Sequence, residues 1–246
     1  MATQRHLRSA PVKEALIDFQ FEQPVAIELI EEFASSIADR YPDKSDIWQS
    51  MVGIDLGSVE TKSHSSIDQL GKRLSSGQHP FIAQVRKNGF TLSRLQPYVD
   101  WGDLRAEAKL LWDKFVEQGN VEVVQRVAVR YINEIKIPLP INDFGEFLTC
   151  PPEVPKALPQ AINGFMTRVV IPSSDDPNEV AIVTQASETL VADQASIVVV
   201  LDIDVFRTWS IPATGDLIWS CLDRLRDKKN NMFFEHLQEK TVEMYE

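Results

Sequence analysis

Hydrophobic and polar residues alternate along several stretches of this chain, and a period of two residues predicts β-strands. The longest such stretch, VEVVQRVAVRYINEIKIP, ends at Pro138. Further strands are predicted at residues 14–21, 48–57, 164–172, 179–190 and 196–206. Residues 81–95 are predicted to form a single strand. Short turns join the three segments after residue 163, which predicts an antiparallel meander.

Apolar residues at helical spacing predict three helices. The clearest covers residues 101–118 and has Asp100 as a plausible N-cap. An earlier helix is predicted to begin at Pro24 and to end before Pro42, because proline is tolerated only in the first turn of a helix.

The remaining segments give weaker patterns. A last helix is predicted to begin with Thr214 as its N-cap and to break near Asn230-Asn231 before it continues. Residues 57–78 are serine-rich and predict either a short weak helix or a mobile connection. Residues 1–11 are polar and predict a loose arm.

Residues 138–163 contain six prolines, which exclude a regular ladder and predict a packed surface loop or a boundary between two subdomains. We otherwise expect residues 1–246 to form a single domain. Helices and strands do not alternate regularly, which disfavours a parallel doubly wound fold. The predicted class is α+β: a strongly curved, mostly antiparallel sheet packed on two or three helices, in a helix-grip or barrel-like arrangement.

Composition narrows the location and the partners. The net charge of −11 argues against a nucleic-acid or anionic-membrane partner, because the protein would repel a polyanion. Two isolated cysteines, Cys150 and Cys221, give no disulfide framework and favour a reducing, cytoplasmic compartment. No signal peptide and no apolar run long enough to span a membrane is present in the sequence.

Charged residues occupy one face of the long strand. At period two, Arg126 and Arg130 share a face that is separate from the apolar face. Similar charges recur on other predicted strands, namely Arg94, Arg168, Asp202 and Asp204. These side chains predict either a solvated sheet face with paired charges or a groove in which the arginines bind an anion and the two aspartates hold a magnesium ion.

Two aromatic residues, Tyr98 and Trp101, lie at the start of the central helix. They are candidates for packing into that helix or for stacking on a ligand. The four histidines and two cysteines form no zinc spacing, and no phosphate-binding loop motif with its partner motifs occurs, so the sequence predicts no cofactor.

Several motifs resemble those of a known family. They are APxxEALID at residues 10–18, SRLxPYxxW at 93–101, RYIN at 130–133, and a Phe233-Phe234 pair near the end. Together they resemble a sporadically distributed family of bacterial proteins of similar length. The patchy occurrence of that family implies carriage on mobile elements, and hence toxin–antitoxin or phage-defence systems, but it implies no mechanism.

Two functions are therefore expected from the sequence. The first is a bacterial binding or regulatory protein that recognises a protein partner or a small anionic ligand. Exposed strands could also pair between copies of the chain, so an oligomer is possible. The alternative is a metal-dependent hydrolase or transferase that acts on a phosphorylated or nucleotide ligand in a charged, sheet-lined groove.

Overall fold

The computed structural model describes residues 2–56, 61–118, 121–187 and 195–246. The strands are β1 (Val12–Phe21), β2 (Asp43–Leu56), β3 (Thr61–Ser75), β4 (Phe81–Arg86), β5 (Gly89–Leu95), β6 (Val123–Pro138), β7 (Phe165–Pro172), β8 (Glu179–Ser187) and β9 (Ser196–Pro212). The helices are α1 (Ile27–Ser36), α2 (Trp101–Glu117), α3 (Leu217–Glu235) and α4 (Glu239–Glu243).

All nine strands belong to one antiparallel sheet with the order β2-β3-β4-β5-β1-β6-β9-β8-β7. The predicted α+β class with an antiparallel sheet is therefore confirmed. The described parts of the end strands β2 and β7 are not paired with each other, so the sheet is not closed and a barrel is not confirmed. Residues 138–163 form the predicted irregular crossing, interrupted by a short 3-10 helix at Phe144–Glu146.

Helices α1, α2 and α3 pack on one face of the sheet, and the core lies between them and the strands. Its centre is a group of aromatic rings. The Phe19 and Trp112 ring centroids lie 4.4 Å apart, and those of Phe33 and Phe115 lie 5.1 Å apart. The indole nitrogen of Trp112 donates to the Ala213 carbonyl at 2.9 Å, so this buried polar atom is satisfied.

The predictions for the central helix and the long strand are confirmed. Helix α2 begins after Asp100, whose carboxylate accepts a hydrogen bond from the backbone N–H of Asp103 at 2.8 Å. In β6 the residues of the predicted apolar face are buried, whereas Arg126 and Arg130 on the opposite face are half-buried.

The prediction of one strand over residues 81–95 is wrong. This segment is a hairpin in which β4 and β5 are joined at Lys87-Asn88. The polar pair Lys87-Asn88 interrupts the apolar alternation, and it joins the strands as a two-residue loop, which is among the commonest hairpin connections. Gly89 is needed because a Cβ atom at this position would lie 2.8 Å from the Phe19 carbonyl oxygen.

The expectation for residues 57–78 is also wrong where the structure describes them, since 61–75 form β3. The helical spacing of Ile67, Leu70 and Leu74 does not correspond to a shared surface, because Leu74 is fully buried and Ile67 is exposed. Pairing with β2 along the whole length of β3 overrides the weak local pattern.

Helices α1 and α3 have other boundaries than the sequence predicts. The first helix begins at Ile27 and not at Pro24, because the backbone of Ala26 is extended, with φ −68° and ψ 148°. The backbone N–H of Val25 bonds to the Lys87 carbonyl at 2.7 Å. Helix α3 begins after Asp216 and not after Thr214, and it continues through Asn230 without a break. Buried residues on both sides of Asn230 pack this helix on the sheet and keep it continuous.

No helix in the described ranges is long and apolar enough to cross a membrane.

Two neighbouring leucines of α2 test the assignment of its buried face. Leu111 is fully buried and Leu110 is half exposed. We expect Leu111→Ala to lower the free energy of unfolding by about 2–5 kcal/mol, because it leaves a cavity in the core. The matched variant Leu110→Ala should change it by no more than about 0.5 kcal/mol. Urea unfolding followed by circular dichroism measures both, and equal losses would contradict this packing.

Candidate functional site

The predicted charged face of the sheet exists, and its charges are paired with one another. Arg126 donates to Asp18 at 2.8 Å and to Asp204 at 2.9 Å, and so bridges strands β1 and β9. Arg130 makes a forked contact to Asp202 with distances of 2.8 and 2.6 Å. This is the geometry expected for a bidentate arginine–carboxylate pair.

Arg168 and Arg94 are placed away from these pairs. Arg168 lies exposed on β7 and is in register with Thr184, which in turn is in register with Asp202. Two strand spacings separate Arg168 from Asp202, which corresponds to about 10 Å. Arg94 is in register with Ala15, as is Tyr131, so it lies on the helix-packed face of the sheet.

Arg94 is engaged within the core face. Its guanidinium pairs with Asp103 at 3.0 Å, donates to the Pro97 carbonyl at 3.2 Å and lies over the Phe81 ring. Arg94, Arg126 and Arg130 therefore do not line one cavity, because the sheet lies between the first and the other two.

Neither of the two predicted metal ligands is free of arginine contacts. The Asp202 carboxylate is held by Arg130, and the Asp204 carboxylate is held by Arg126. Burial raises the pKa of Asp204 above its ordinary value, against the opposing effects of Arg126 and Arg130. Among the described residues, no group of three or more His, Cys, Asp or Glu side chains could hold a metal ion.

A cavity of about 620 Å³ lies on the other side of the molecule, on the helix-packed face. It is enclosed by the N-terminal segment, the start of α2, strand β6 and helix α3. We call it the Lys229 cavity, and its polar lining includes Tyr98, Tyr131, Asn133, Arg226 and Lys229. The other predicted aromatic residue, Trp101, also lines it.

The N-terminal segment forms one wall of the Lys229 cavity, and the described part of it is not the loose arm that was predicted. The backbone N–H of Ala2 bonds to the Leu237 carbonyl at 3.0 Å, and that of Ser9 bonds to the Tyr245 carbonyl at 3.1 Å. Arg5 pairs with Glu239 and Glu246. Contacts with the C-terminal end of the chain therefore hold this wall in place.

Lys229 is the most unusual residue of the cavity. It is 6% exposed, and its amine lies 3.6 Å from the centroid of the Tyr131 ring. No carboxylate of the described residues pairs with it. Burial, followed by the nearby charge of Arg226, lowers the pKa of Lys229 to about 7. A buried amine without a counter-ion is costly, which favours its neutral form.

Two tyrosine hydroxyl groups meet in the same cavity. The Tyr98 and Tyr131 oxygens are 2.8 Å apart, and the two rings pack edge to face. Burial raises the pKa of Tyr98 to about 12 and also raises that of Tyr131. Both phenols therefore remain protonated at neutral pH and can act as hydrogen-bond donors.

The charge in this cavity is locally positive, although the whole chain is acidic. Arg226 and Lys229 lie on the same side of α3. The lining also contains one carboxylate, Asp100, which is engaged as the N-cap of α2. Arg226 pairs with the carboxylate of its sequence neighbour Asp227 at 2.9 Å. The arrangement therefore suits a small anion.

The sequence patterns pointed to the charged sheet face and did not identify the Lys229 cavity. The basic residues 224–229 form a run that is typical of a helix end, where cations complement the helix dipole. They lie inside α3 instead, because the helix continues to Glu235. One signal was available: Lys229 falls in the apolar stripe that contains Leu222, Leu225 and Phe233, where a lysine is out of place.

The depressed pKa of Lys229 leads to a pH-dependent stability. In the unfolded chain the amine holds its proton up to its ordinary pKa of 10.5, whereas in the folded protein the pKa is about 7. The unfolded chain binds more protons between these values, so the free energy of unfolding should rise with pH by up to about 1.4 kcal/mol per pH unit.

Comparison of the wild type with Lys229→Met isolates this contribution. Tyr98 and Tyr131 stay protonated over this pH window, because burial raises the pKa of both phenols. Urea unfolding between about pH 7.5 and 9.5 should show a steeper rise in the wild type than in Lys229→Met. The exposed Lys136→Met serves as the control with the wild-type slope, and parallel profiles for all three proteins would refute the burial of a neutral amine.

No protein-family model matches this chain, and no curated protein matches it either.

Proposed function

We propose that this protein binds a small anionic ligand in the Lys229 cavity. The observation that carries the proposal is the buried amine of Lys229 beside the guanidinium of Arg226, with no carboxylate of the described residues paired with that amine. Burial of an amine without a carboxylate partner among the described residues is unfavourable, and an anion bound next to Lys229 and Arg226 would offset that cost.

The size and the lining of the cavity support the same proposal. A volume of about 620 Å³ lies within the range of about 300–1,000 Å³ that is usual for small-molecule sites. Aromatic walls from Tyr98, Trp101 and Phe233 surround a few polar groups, which is the typical composition of such a site. A curved, helix-grip sheet would account for a cavity between a strand face and a long helix.

The charged sheet face supports ligand binding less well. Arg126 and Arg130 already have carboxylate partners at hydrogen-bond distance, so an incoming anion would compete with Asp18, Asp204 and Asp202. A regulatory role in a bacterial mobile-element or defence system, with a protein partner, remains a prediction from the resemblance.

Binding of a fluorescent anion tests this proposal. We expect anilinonaphthalene sulfonate to bind the wild type at one site. Arg226→Met and Lys229→Met should each weaken that binding about tenfold or more, since a hydrogen bond to a charged group contributes about 1.5–3 kcal/mol. Fluorescence titration at fixed ionic strength measures the dissociation constants.

Arg130→Met is the matched control, because it removes a cation on the opposite face of the sheet. It should leave the dissociation constant unchanged, and circular dichroism should show that all three variants are folded. If Arg130→Met abolished binding and Lys229→Met did not, the anion site would lie on the charged sheet face and this proposal would be wrong.

A further inference from the structure

We infer that the amine of Lys229 forms an imine with a small aldehyde or ketone that also carries an anionic group. The inference deepens the proposed function and rests on it, because the anionic group must first be held in the Lys229 cavity. It names a class of ligand, an anionic carbonyl compound, and a covalent mode of capture.

The position of Lys229 fulfils the requirements for an amine nucleophile. Lys229 lines the cavity, is almost completely removed from solvent, and makes no ion pair within the described ranges. Amine nucleophiles in proteins are activated by desolvation or by a neighbouring cation, and Lys229 has both. With a pKa of about 7, roughly half of the Lys229 amines are unprotonated at neutral pH.

An ordinary lysine would be a much poorer nucleophile under the same conditions. With its pKa near 10.4, only about one exposed lysine side chain in a few thousand is unprotonated at neutral pH. Lys228 precedes Lys229 directly but pairs with the buried Glu179, so it lacks this activation. The cavity therefore distinguishes one lysine from its neighbours.

Arg226 is placed to orient such a ligand. It lies one helical turn before Lys229 and lines the same cavity, and side chains at this spacing are about 5–6 Å apart at their Cβ atoms. A guanidinium binds phosphate or carboxylate by forked hydrogen bonds. A compound held by its anionic group on Arg226 can direct a carbonyl carbon towards the Lys229 amine.

The bond changes balance without another reactant. The nitrogen lone pair of Lys229 forms a bond to the carbonyl carbon, and the carbonyl oxygen takes up two protons and leaves as water. Both protons come originally from the neutral amine. The hydroxyl groups of Tyr98 and Tyr131, hydrogen-bonded to each other, can relay them to the departing oxygen. No oxidant or reductant takes part in this step.

Three related probes separate the parts of the inference. Pyridoxal 5′-phosphate has an aldehyde and a phosphate, pyridoxal has the aldehyde without the phosphate, and pyridoxine 5′-phosphate has the phosphate without the aldehyde. Each is incubated with the full chain at neutral pH, followed by sodium borohydride to reduce any imine. Intact mass and peptide mapping then locate the adduct.

We expect one reduced adduct on Lys229 with pyridoxal 5′-phosphate, formed at least about tenfold faster in the wild type than in Arg226→Met, because the guanidinium of Arg226 binds the phosphate. Lys229→Met and Lys229→Arg should lose this adduct. Lys136→Met, which removes an exposed lysine of β6, should keep it. Labelling spread over exposed lysines, or unchanged in Lys229→Met, would overturn the inference.

Competition with anilinonaphthalene sulfonate separates this inference from the proposed function. Pyridoxine 5′-phosphate should displace the fluorescent anion without forming an adduct. If the phosphates displace it and no adduct forms on Lys229, the imine is refuted and anion binding stands. If neither phosphate displaces it and no adduct forms on Lys229, both proposals fail together.

Discussion

The two faces of strand β6 are separated by the period of two residues, and the rest of the structure follows from this separation. Its apolar face packs under helix α3, where Val127, Val129 and Tyr131 contribute to the core. Its other face presents Arg126 and Arg130 to the aspartates of β1 and β9. Because β6 lies between these two strands, it joins the two halves of the sheet.

On the charged face of the sheet, ion pairs between arginine and aspartate mainly offset the cost of removing these charges from water. Arg126 lies between the carboxylates of Asp18, which is buried, and Asp204, which is half-buried. Its loss would remove the counter-ion that these two carboxylates share. Removal of one partner of a buried pair is far more destabilising than the net contribution of the pair itself. This face therefore carries many charges, but few of them are available to a ligand.

The Lys229 cavity shows the opposite arrangement. The Lys229 amine is removed from water beside Tyr131 and Arg226, and no carboxylate in the part of the chain that the structure describes offsets the lost hydration. A lysine in this position lowers the stability of the fold near neutral pH, and such departures from good packing are concentrated at functional sites. The buried amine, which lacks a carboxylate partner among the described residues, is the physical basis for both of our proposals.

Local sequence determined most of the elements: the alternation in β6, the capped helix α2 and the meander of β7, β8 and β9 are properties of neighbouring residues. Tertiary structure decided the rest. Pairing with β2 made β3 a strand, and packing on the sheet carried α3 past Asn230. Strand pairing placed Arg94 and Arg130 on opposite faces of the sheet. The packing of α3 on Tyr131 buried the amine of Lys229, which in the sequence is one of several basic residues. Strand pairing and the contacts of a buried side chain depend on residues distant in sequence, so local patterns indicate which face is buried but not what it contacts.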